Sequence, residues 1–121
     1  MVKTTKIKPL RPSLREKKRY VAFKVQSESK LSSFDAVSAE IFSSYGRLFG
    51  EMGLAQAGII VLKERWNSER QTGILKVSHK YVNEIKASLA LIKQINNVDV
   101  IASSLTTSGI LDKAARRAVA A

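Results

Sequence analysis

The sequence contains no cysteine and a single histidine, His79, among its 121 residues. The absence of cysteine excludes disulfide bonds, thiol nucleophiles and thiolate metal sites, and it fits an intracellular protein. One histidine cannot supply a metal site that needs several converging ligands, and it has no obvious partner that would orient it as a catalytic base. We therefore interpret His79 as an ordinary residue at a strand-to-helix junction and expect no catalytic residues and no cofactor held by the protein.

Long apolar runs are also missing. The longest candidate, GIIVL over residues 58–62, is ended by Lys63, so nothing approaches the length of a membrane-spanning helix. The charged N-terminus is not followed by the hydrophobic region of a signal peptide. We expect a soluble protein that is not exported and that works in the cytoplasm.

Glycine-rich phosphate loops are missing as well. Gly46, Gly50 and Gly53 form the pattern G-x-x-x-G-x-x-G within or after a predicted helix, which matches neither a dinucleotide fingerprint nor a P-loop. We interpret these glycines as sites of helix termination or close packing. SESK, residues 27–30, matches S-x-x-K by chance, because the companion motifs of a penicillin-binding site are absent.

Positive charge is what the chain has in excess. Its net charge is +11, and residues 1–19 contribute +7 of this through eight bases and one acid, Glu16. Such a balance favours a polyanion partner, since each neutralised phosphate releases counterions. A membrane surface fits less well, because the few apolar residues of this segment are broken up by Pro9 and Pro12. The bases of this segment are Lys3, Lys6, Lys8, Arg11, Arg15, Lys17, Lys18 and Arg19.

Hydrophobic periodicity predicts the element order β-α-β-β-α-β with an additional C-terminal helix. The predicted elements are a strand at 20–25, a helix from an N-cap at Ser32 or Ser33 to Gly50 or Gly53, a hairpin of 58–66 and 72–77, a helix at 80–95, a strand at 98–103 and a helix after Ser108. This order indicates an α+β sandwich of the ferredoxin-like, RRM-like type, with a four-stranded antiparallel sheet. We expect a basic arm over residues 1–18 and one domain over residues 19–121.

The predicted sheet lacks the aromatic platform on which RNA-recognition domains stack bases. RQTGILKV, residues 70–77, has Thr72, Ile74 and Val77 where the stacking rings would stand. We expect the C-terminal helix or a protein partner to cover this aliphatic face. Tyr20 and Trp66 are possible stacking residues at strand ends, although packing in the core or at its rim is the more common role.

Bases elsewhere in the chain could extend the charged surface of the arm. Lys80, Lys86 and Lys93 belong to the second predicted helix, and Lys113, Arg116 and Arg117 belong to the last. The run SSLTTSG, residues 103–109, precedes the last helix and could form an anion site at its N-terminus, although a simple helix cap at Ser108 is the more common arrangement.

Three segments resemble a known family in order and spacing. They are LRPSLREKKRYVAFKV at 10–25, QTGILKVSHKYVNEIKASLALI at 71–92 and TTSGILDKAARRA at 106–118. Together they resemble the small Pop-type protein subunit of archaeal and eukaryotic ribonuclease P over nearly the whole chain. The sequence departs from that family at LRPSL, where Leu-Pro is usual, and at SLTTSGI, where a Gly-Val-Ser-Gly run is usual.

The resemblance implies a non-catalytic subunit that binds and stabilises ribonuclease P RNA, whose magnesium ions remove the 5′ leader from precursor tRNA. It also implies a partner, the TIM-barrel-like protein subunit, and a homodimer of the small subunit within a two-plus-two heterotetramer. We expect the RNA contacts to come from Arg11, Arg15, Lys17, Lys18, Arg19, Tyr20, Lys80, Lys86, Lys113, Arg116 and Arg117.

Two other interpretations remain open at this point. A general or ribosomal RNA-binding protein of the same fold would bind unrelated structured RNAs equally well. A small enzyme or ligand-sensing module would show a small-molecule pocket and no dependence on RNA.

Overall fold

The computed structural model describes residues 17–31 and 33–120. Most of the predicted arm, including Arg11 and Arg15, lies outside the described residues, as does the alternative N-cap Ser32. The strands are β1 (Lys18–Ser27), β2 (Ile60–Val61), β3 (Thr72–Ser78), β4 (Gln94–Ile95) and β5 (Val98–Ser108). The helices are α1 (Phe34–Ala57), α2 (Val82–Ala90) and α3 (Leu111–Ala120), with 3-10 turns at Lys63–Arg65 and His79–Tyr81. All predicted elements are present, and Lys18, assigned to the arm by the sequence, already belongs to β1.

The strands form one antiparallel sheet in the order β2-β3-β1-β5-β4. It has five strands where four were predicted, because Gln94 and Ile95 leave the predicted helix and pair with Asp99 and Val98. The intervening turn places two asparagines at positive φ, 52° and 64°, as a tight two-residue hairpin requires. The helix α2 consequently ends at Ala90.

Helix α1 begins where the sequence indicated and ends later. The Ser33 side chain accepts a hydrogen bond from the Ala36 backbone N–H at 3.2 Å, which confirms one of the two predicted N-caps. The predicted break at Gly50 is confirmed, since Gly50 has φ 75° and ψ 177° and separates two helical segments within α1. The second segment continues past Gly53 to Ala57 and is closed by Gly58 with φ 60°.

The predicted hairpin is confirmed in a shortened form. Only Ile60 and Val61 pair with β3, because the chain then turns into the 3-10 segment. An isolated bridge between Asn67 and Thr72 closes the hairpin, and Asn67 Oδ1 accepts hydrogen bonds from two backbone N–H groups of the turn.

Helices pack on both faces of the sheet. Alternate residues of β1 enter different clusters: Val21, Phe23 and Val25 pack against α1 and α2, whereas Ala22 packs with Ile74 beneath α3. The side of α3 that faces the sheet presents Ala114 and Ala118, both buried. Of the two covers that the sequence left open for the aliphatic face, the C-terminal helix is therefore the one present.

Candidate nucleic-acid interface

Basic residues gather at one end of the sheet, where β1 begins and where β3 and β5 end. The register places Lys18 opposite Ser78, and Tyr20 opposite both Lys76 and Ser108. The 3-10 turn that carries Lys80 follows β3 directly. The structure thus brings together the predicted residues Lys17, Lys18, Arg19 and Lys80, which we call the basic end.

Lys17, which we call the root of the arm because it directly precedes β1, is attached to the basic end by backbone and side-chain contacts. The Lys17 carbonyl oxygen accepts the His79 backbone N–H at 2.9 Å and lies 3.0 Å from His79 Nδ1. A carbonyl has no proton to give, so Nδ1 must carry the hydrogen if the second contact is a hydrogen bond. His79 is therefore the residue that holds the point at which the basic segment joins the sheet, a role that the sequence interpretation missed.

The side chains of Lys18 and Arg19 extend from β1 to neighbouring segments. A Cβ atom on Gly58, just after α1, would lie 3.1 Å from Lys18 Nζ, so this ammonium lies close to the C-terminal end of α1, where the helix dipole favours a cation. Arg19 donates to the Lys18 carbonyl at 3.1 Å, and a Cβ atom on Gly109 would lie 3.6 Å from its guanidinium. Both cations therefore lie at the rim of the sheet, Lys18 beside Gly58 and Arg19 beside Gly109.

The remaining predicted residues lie elsewhere. Tyr20 is partly buried against the cluster beneath α3, which makes it a rim residue of the core rather than a free stacking ring. Lys86 is exposed on α2. The exposed bases of α3 are Lys113, Arg116 and Arg117. Because α2 and α3 cover opposite faces of the sheet, Lys86 cannot form one surface with the bases of α3.

Several bases near the α3 face were missed. Lys76 is partly exposed on β3 directly opposite Tyr20, and Lys63, Arg65 and Arg70 are exposed around the hairpin. Of these bases, only Lys76 could have been placed from the sequence. Side chains alternate along β3, so Lys76 shares a face with Ile74.

Within residues 17–31 and 33–120, the ion pairs are Lys30–Glu69 and Arg47–Glu40, each at 2.7 Å. The Lys30 ammonium lowers the pKa of Glu69 by hydrogen bonding and by its charge. None of the described bases predicted to contact RNA takes part in these pairs. Their charges therefore remain available to phosphate groups.

The turn before α3 differs from the prediction. Residues 103–108 of SSLTTSG belong to β5, so they do not form a loop at the helix N-terminus. Ser108 Oγ accepts the Ile110 backbone N–H at 3.0 Å, which stabilises the short connection into α3. This run is mainly strand, and only its last residues turn the chain.

The face that would stack bases in an RNA-recognition domain is not accessible. Thr72, Ile74 and Val77 are 3%, 1% and 0% exposed, respectively. Ile74 lies under α3, and Val77 points into the core on the helix α1 and α2 side. Positive charge at ends and rims is thus the feature through which the described part of the chain can meet RNA.

Metal clusters and membrane-spanning helices are both absent from the part of the chain that the structure describes. Among residues 17–31 and 33–120, no group of three or more histidine, cysteine, aspartate or glutamate residues could hold a metal ion. In the same part of the chain, no helix has the length and apolar character needed to cross a membrane.

Residues 19–119 match the Rpp14/Pop5 family of ribonuclease P proteins, and the chain belongs to that family. It is similar to ribonuclease P protein component 2 of Pyrococcus furiosus, with 36% identity over 110 residues that cover 91% of this chain and 89% of that protein. Similarity to component 2 of Methanosarcina mazei is 37% over 111 residues, covering 92% and 91%. For Thermococcus kodakarensis the identity is 32% over 115 residues, covering 95% and 93%.

The fold also resembles a chain in the cryo-EM structure of yeast ribonuclease MRP. The TM-score is 0.61 at 11% sequence identity, and the match covers 84% of this chain and 86% of that chain. This likeness shows that the two chains share a fold.

Proposed function

We propose that this protein is a non-catalytic subunit of ribonuclease P that binds the catalytic RNA and supports removal of the 5′ leader from precursor tRNA. The observation that carries the proposal is membership of the Rpp14/Pop5 family over residues 19–119, within a chain of net charge +11. The basic end supplies a physical mechanism for binding the RNA.

The mechanism is electrostatic positioning. Lys17, Lys18, Arg19 and Lys80 neutralise RNA phosphates at the basic end and release counterions, which lowers the repulsion within a compact RNA. Contacts of this kind fix register and shape and do not read bases. Magnesium ions held on the RNA supply the chemistry of cleavage, and the protein itself holds no cofactor. Precursor tRNA is reached only indirectly through the RNA.

Membership of the family supports a further proposal about protein partners. We place the chain beside the TIM-barrel-like subunit, as a homodimer in a two-plus-two assembly. Exposed apolar side chains near the interruption of α1 support a protein contact, since Leu48, Phe49 and Met52 are 43%, 39% and 75% exposed. The particle would work in the cytoplasm.

We also propose that the domain is a ferredoxin-like fold with two additional elements. The strands β2, β3, β1 and β5 have the neighbour order expected of a ferredoxin-like sheet, and β4 and α3 are additions to it. The addition of α3 is what separates this domain from RNA-recognition domains that bind bases on the open sheet.

Reconstitution tests the proposal. Ribonuclease P RNA and the TIM-barrel-like subunit are assembled with and without this protein, and cleavage of precursor tRNA is measured at limiting magnesium. We expect the protein to increase cleavage and to lower the magnesium requirement. Unchanged cleavage would refute the proposal, and equal binding to unrelated structured RNAs would favour a general or ribosomal RNA-binding protein instead.

A further inference from the structure

Helix α3 crosses its face of the sheet diagonally. It begins shortly after Ser108, the last residue of β5, which lies opposite Tyr20 at the basic end. It finishes near the closed end of the hairpin, where the Arg70 guanidinium donates to the Val119 carbonyl. Its ten residues make a rod of about 15 Å. A diagonal rod of this length leaves two opposite corners of the face outside it.

One of these corners lies at the basic end, over β2 and β3. Lys76 is paired with Ile60 on one side and with Tyr20 on the other, so the three residues form a row across the sheet. Residues directly opposite in paired strands share a face, and Lys76 shares the face of Ile74, which lies beneath α3. The row is therefore on the α3 side, next to the part of the sheet that the helix covers.

Lys18 completes this corner. It precedes Tyr20 by two residues on β1, so its side chain leaves the same side of the sheet. A Cβ atom on Gly58, two residues before Ile60, would lie 3.1 Å from Lys18 Nζ, which shows that the Lys18 side chain reaches toward β2. We call the group of Lys18, Tyr20, Ile60 and Lys76 the open corner.

The open corner combines apolar surface with positive charge. Ile60 is 49% exposed, and Tyr20 and the two lysines are each partly exposed. Neither lysine takes part in the ion pairs found within residues 17–31 and 33–120. Two free cations beside apolar surface suit a ligand in which anionic groups alternate with apolar ones. A sugar–phosphate backbone has this alternation.

We infer that the open corner binds the sugar–phosphate backbone of the RNA, with phosphates beside Lys18 and Lys76 and a ribose against Ile60. The inference rests on the proposed function and extends the RNA contact from the basic end onto the α3 side of the sheet. Contacts to phosphate and sugar position an RNA without reading its bases. A protein fits this corner less well, because lysine is depleted at the centre of protein interfaces.

The opposite corner of the same face differs in charge. Ile101 is 67% exposed there, and its partner on β1 is Gln26, two residues beyond Lys24 on the α3 side. Glu28 and Asp99 line a cavity together with Ile101. Because carboxylates repel phosphates, this corner supplies matched control positions for the open corner.

Removal of one charge is the first test. Binding of ribonuclease P RNA by the full chain is measured by filter retention over a series of salt concentrations. Lys76→Gln should weaken binding roughly threefold and lower the slope of log affinity against log salt by about one unit. Lys76→Arg should retain both values. Lys24→Gln removes the same charge from the same side of the sheet beyond α3, and it should leave both values close to those of the parent protein.

Addition of one charge is the second test, and it changes no base. Ile60→Glu places a carboxylate in the open corner and should weaken RNA binding roughly tenfold by repelling phosphates. Ile101→Glu adds the same charge at an exposed isoleucine of the opposite corner and should alter binding by less than about twofold. Melting temperatures of all variants confirm that each protein is folded under the conditions of the binding measurement.

The outcomes separate this inference from the proposed function. If Lys76→Gln and Ile60→Glu both bind RNA like the parent protein, the open corner is overturned and the proposed function stands. Equal losses for Ile60→Glu and Ile101→Glu would reflect net charge alone and would also overturn it. So would an Ile60→Glu protein that binds RNA normally but no longer binds the TIM-barrel-like subunit, since the corner would then belong to a protein. Absence of RNA binding by the parent protein would instead refute the proposed function.

Discussion

The Lys17 carbonyl oxygen meets two atoms of His79, the backbone N–H at 2.9 Å and Nδ1 at 3.0 Å. The first contact continues the β1–β3 ladder by one step beyond the Lys18–Ser78 pair. The second comes from a side chain and can be removed without altering the ladder. His79 therefore sets how firmly the root of the basic arm is held.

Replacing His79 should loosen that root. His79→Ala removes the Nδ1 contact, and we expect about 0.5–1.5 kcal/mol lower stability and roughly threefold weaker RNA binding. His79→Asn places an amide N–H near the position of Nδ1 and should restore most of the affinity. Denaturant unfolding and RNA titrations at one salt concentration check both. Equal affinity of all three proteins would remove His79 from the RNA-binding mechanism.

The basic end should set part of the salt dependence. A Lys17→Gln, Lys18→Gln, Lys80→Gln protein loses three charges, so the slope of log affinity against log salt should fall by about two to three units. Lys93→Gln, an exposed change near the start of β5 at the other end of the sheet, should alter the slope by less than about one unit. Similar slopes for the triple variant and the parent protein would show that the basic end meets no phosphates.

The arm can be tested by truncation, and the structure changes where the cut belongs. Deleting residues 1–18 would remove Lys18 from β1 and the carbonyl that His79 holds. Deleting residues 1–16 removes five bases and keeps both contacts. We expect a slope lower by roughly three to five units and an unchanged melting temperature. An unchanged slope would mean that the arm only adds solubility.

The contact between α3 and the sheet should be essential for stability. Ile74 is 1% exposed beneath α3, so Ile74→Ala should cost about 2–5 kcal/mol in the free energy of unfolding. Ile101 is 67% exposed on β5, and Ile101→Ala should cost less than about 0.5 kcal/mol. Denaturant titrations measure both, and comparable losses would contradict the packing described here.

Gln71 should be a second stability determinant. Its side chain donates to the Val25 carbonyl at 2.8 Å and to Ser27 Oγ at 3.0 Å, and its Oε1 accepts the Leu31 backbone N–H. Gln71→Ala would leave buried backbone groups unpaired and should cost about 2–4 kcal/mol. Gln56→Ala, on an exposed position of α1, is the control. A loss below about 1 kcal/mol would show that water replaces these bonds.

The sequence predicted the element order because periodicity is strong where one side of an element is buried. Val21, Phe23 and Val25 alternate toward the core, and the register then follows from pairing. The prediction from the sequence failed where local backbone geometry overrides the hydrophobic periodicity. The tight turn at Asn96 and Asn97 lies just beyond the predicted helix and draws its last two residues into β4, and a second helical segment follows the break at Gly50.

The candidate site was only partly predictable. Lys17, Lys18 and Arg19 are neighbours in sequence, and their charge density is visible without a structure. The place of Lys80 beside them depends on the antiparallel pairing of β1 with β3, which brings residues 62 positions apart to one end. His79 gave no signal, since a backbone carbonyl as partner leaves no trace in side-chain patterns.

Helix α3 has an evolutionary consequence. By lying over Ala22 and Ile74, it removes from the described domain the sheet surface on which several bases in a row could be distinguished. What remains on the described domain is positive charge at the rim of the sheet. Because phosphate contacts are indifferent to base identity, the RNA partner is free to exchange bases along the contact as long as its shape persists. Such a subunit can follow an RNA through extensive sequence divergence without compensating substitutions of its own.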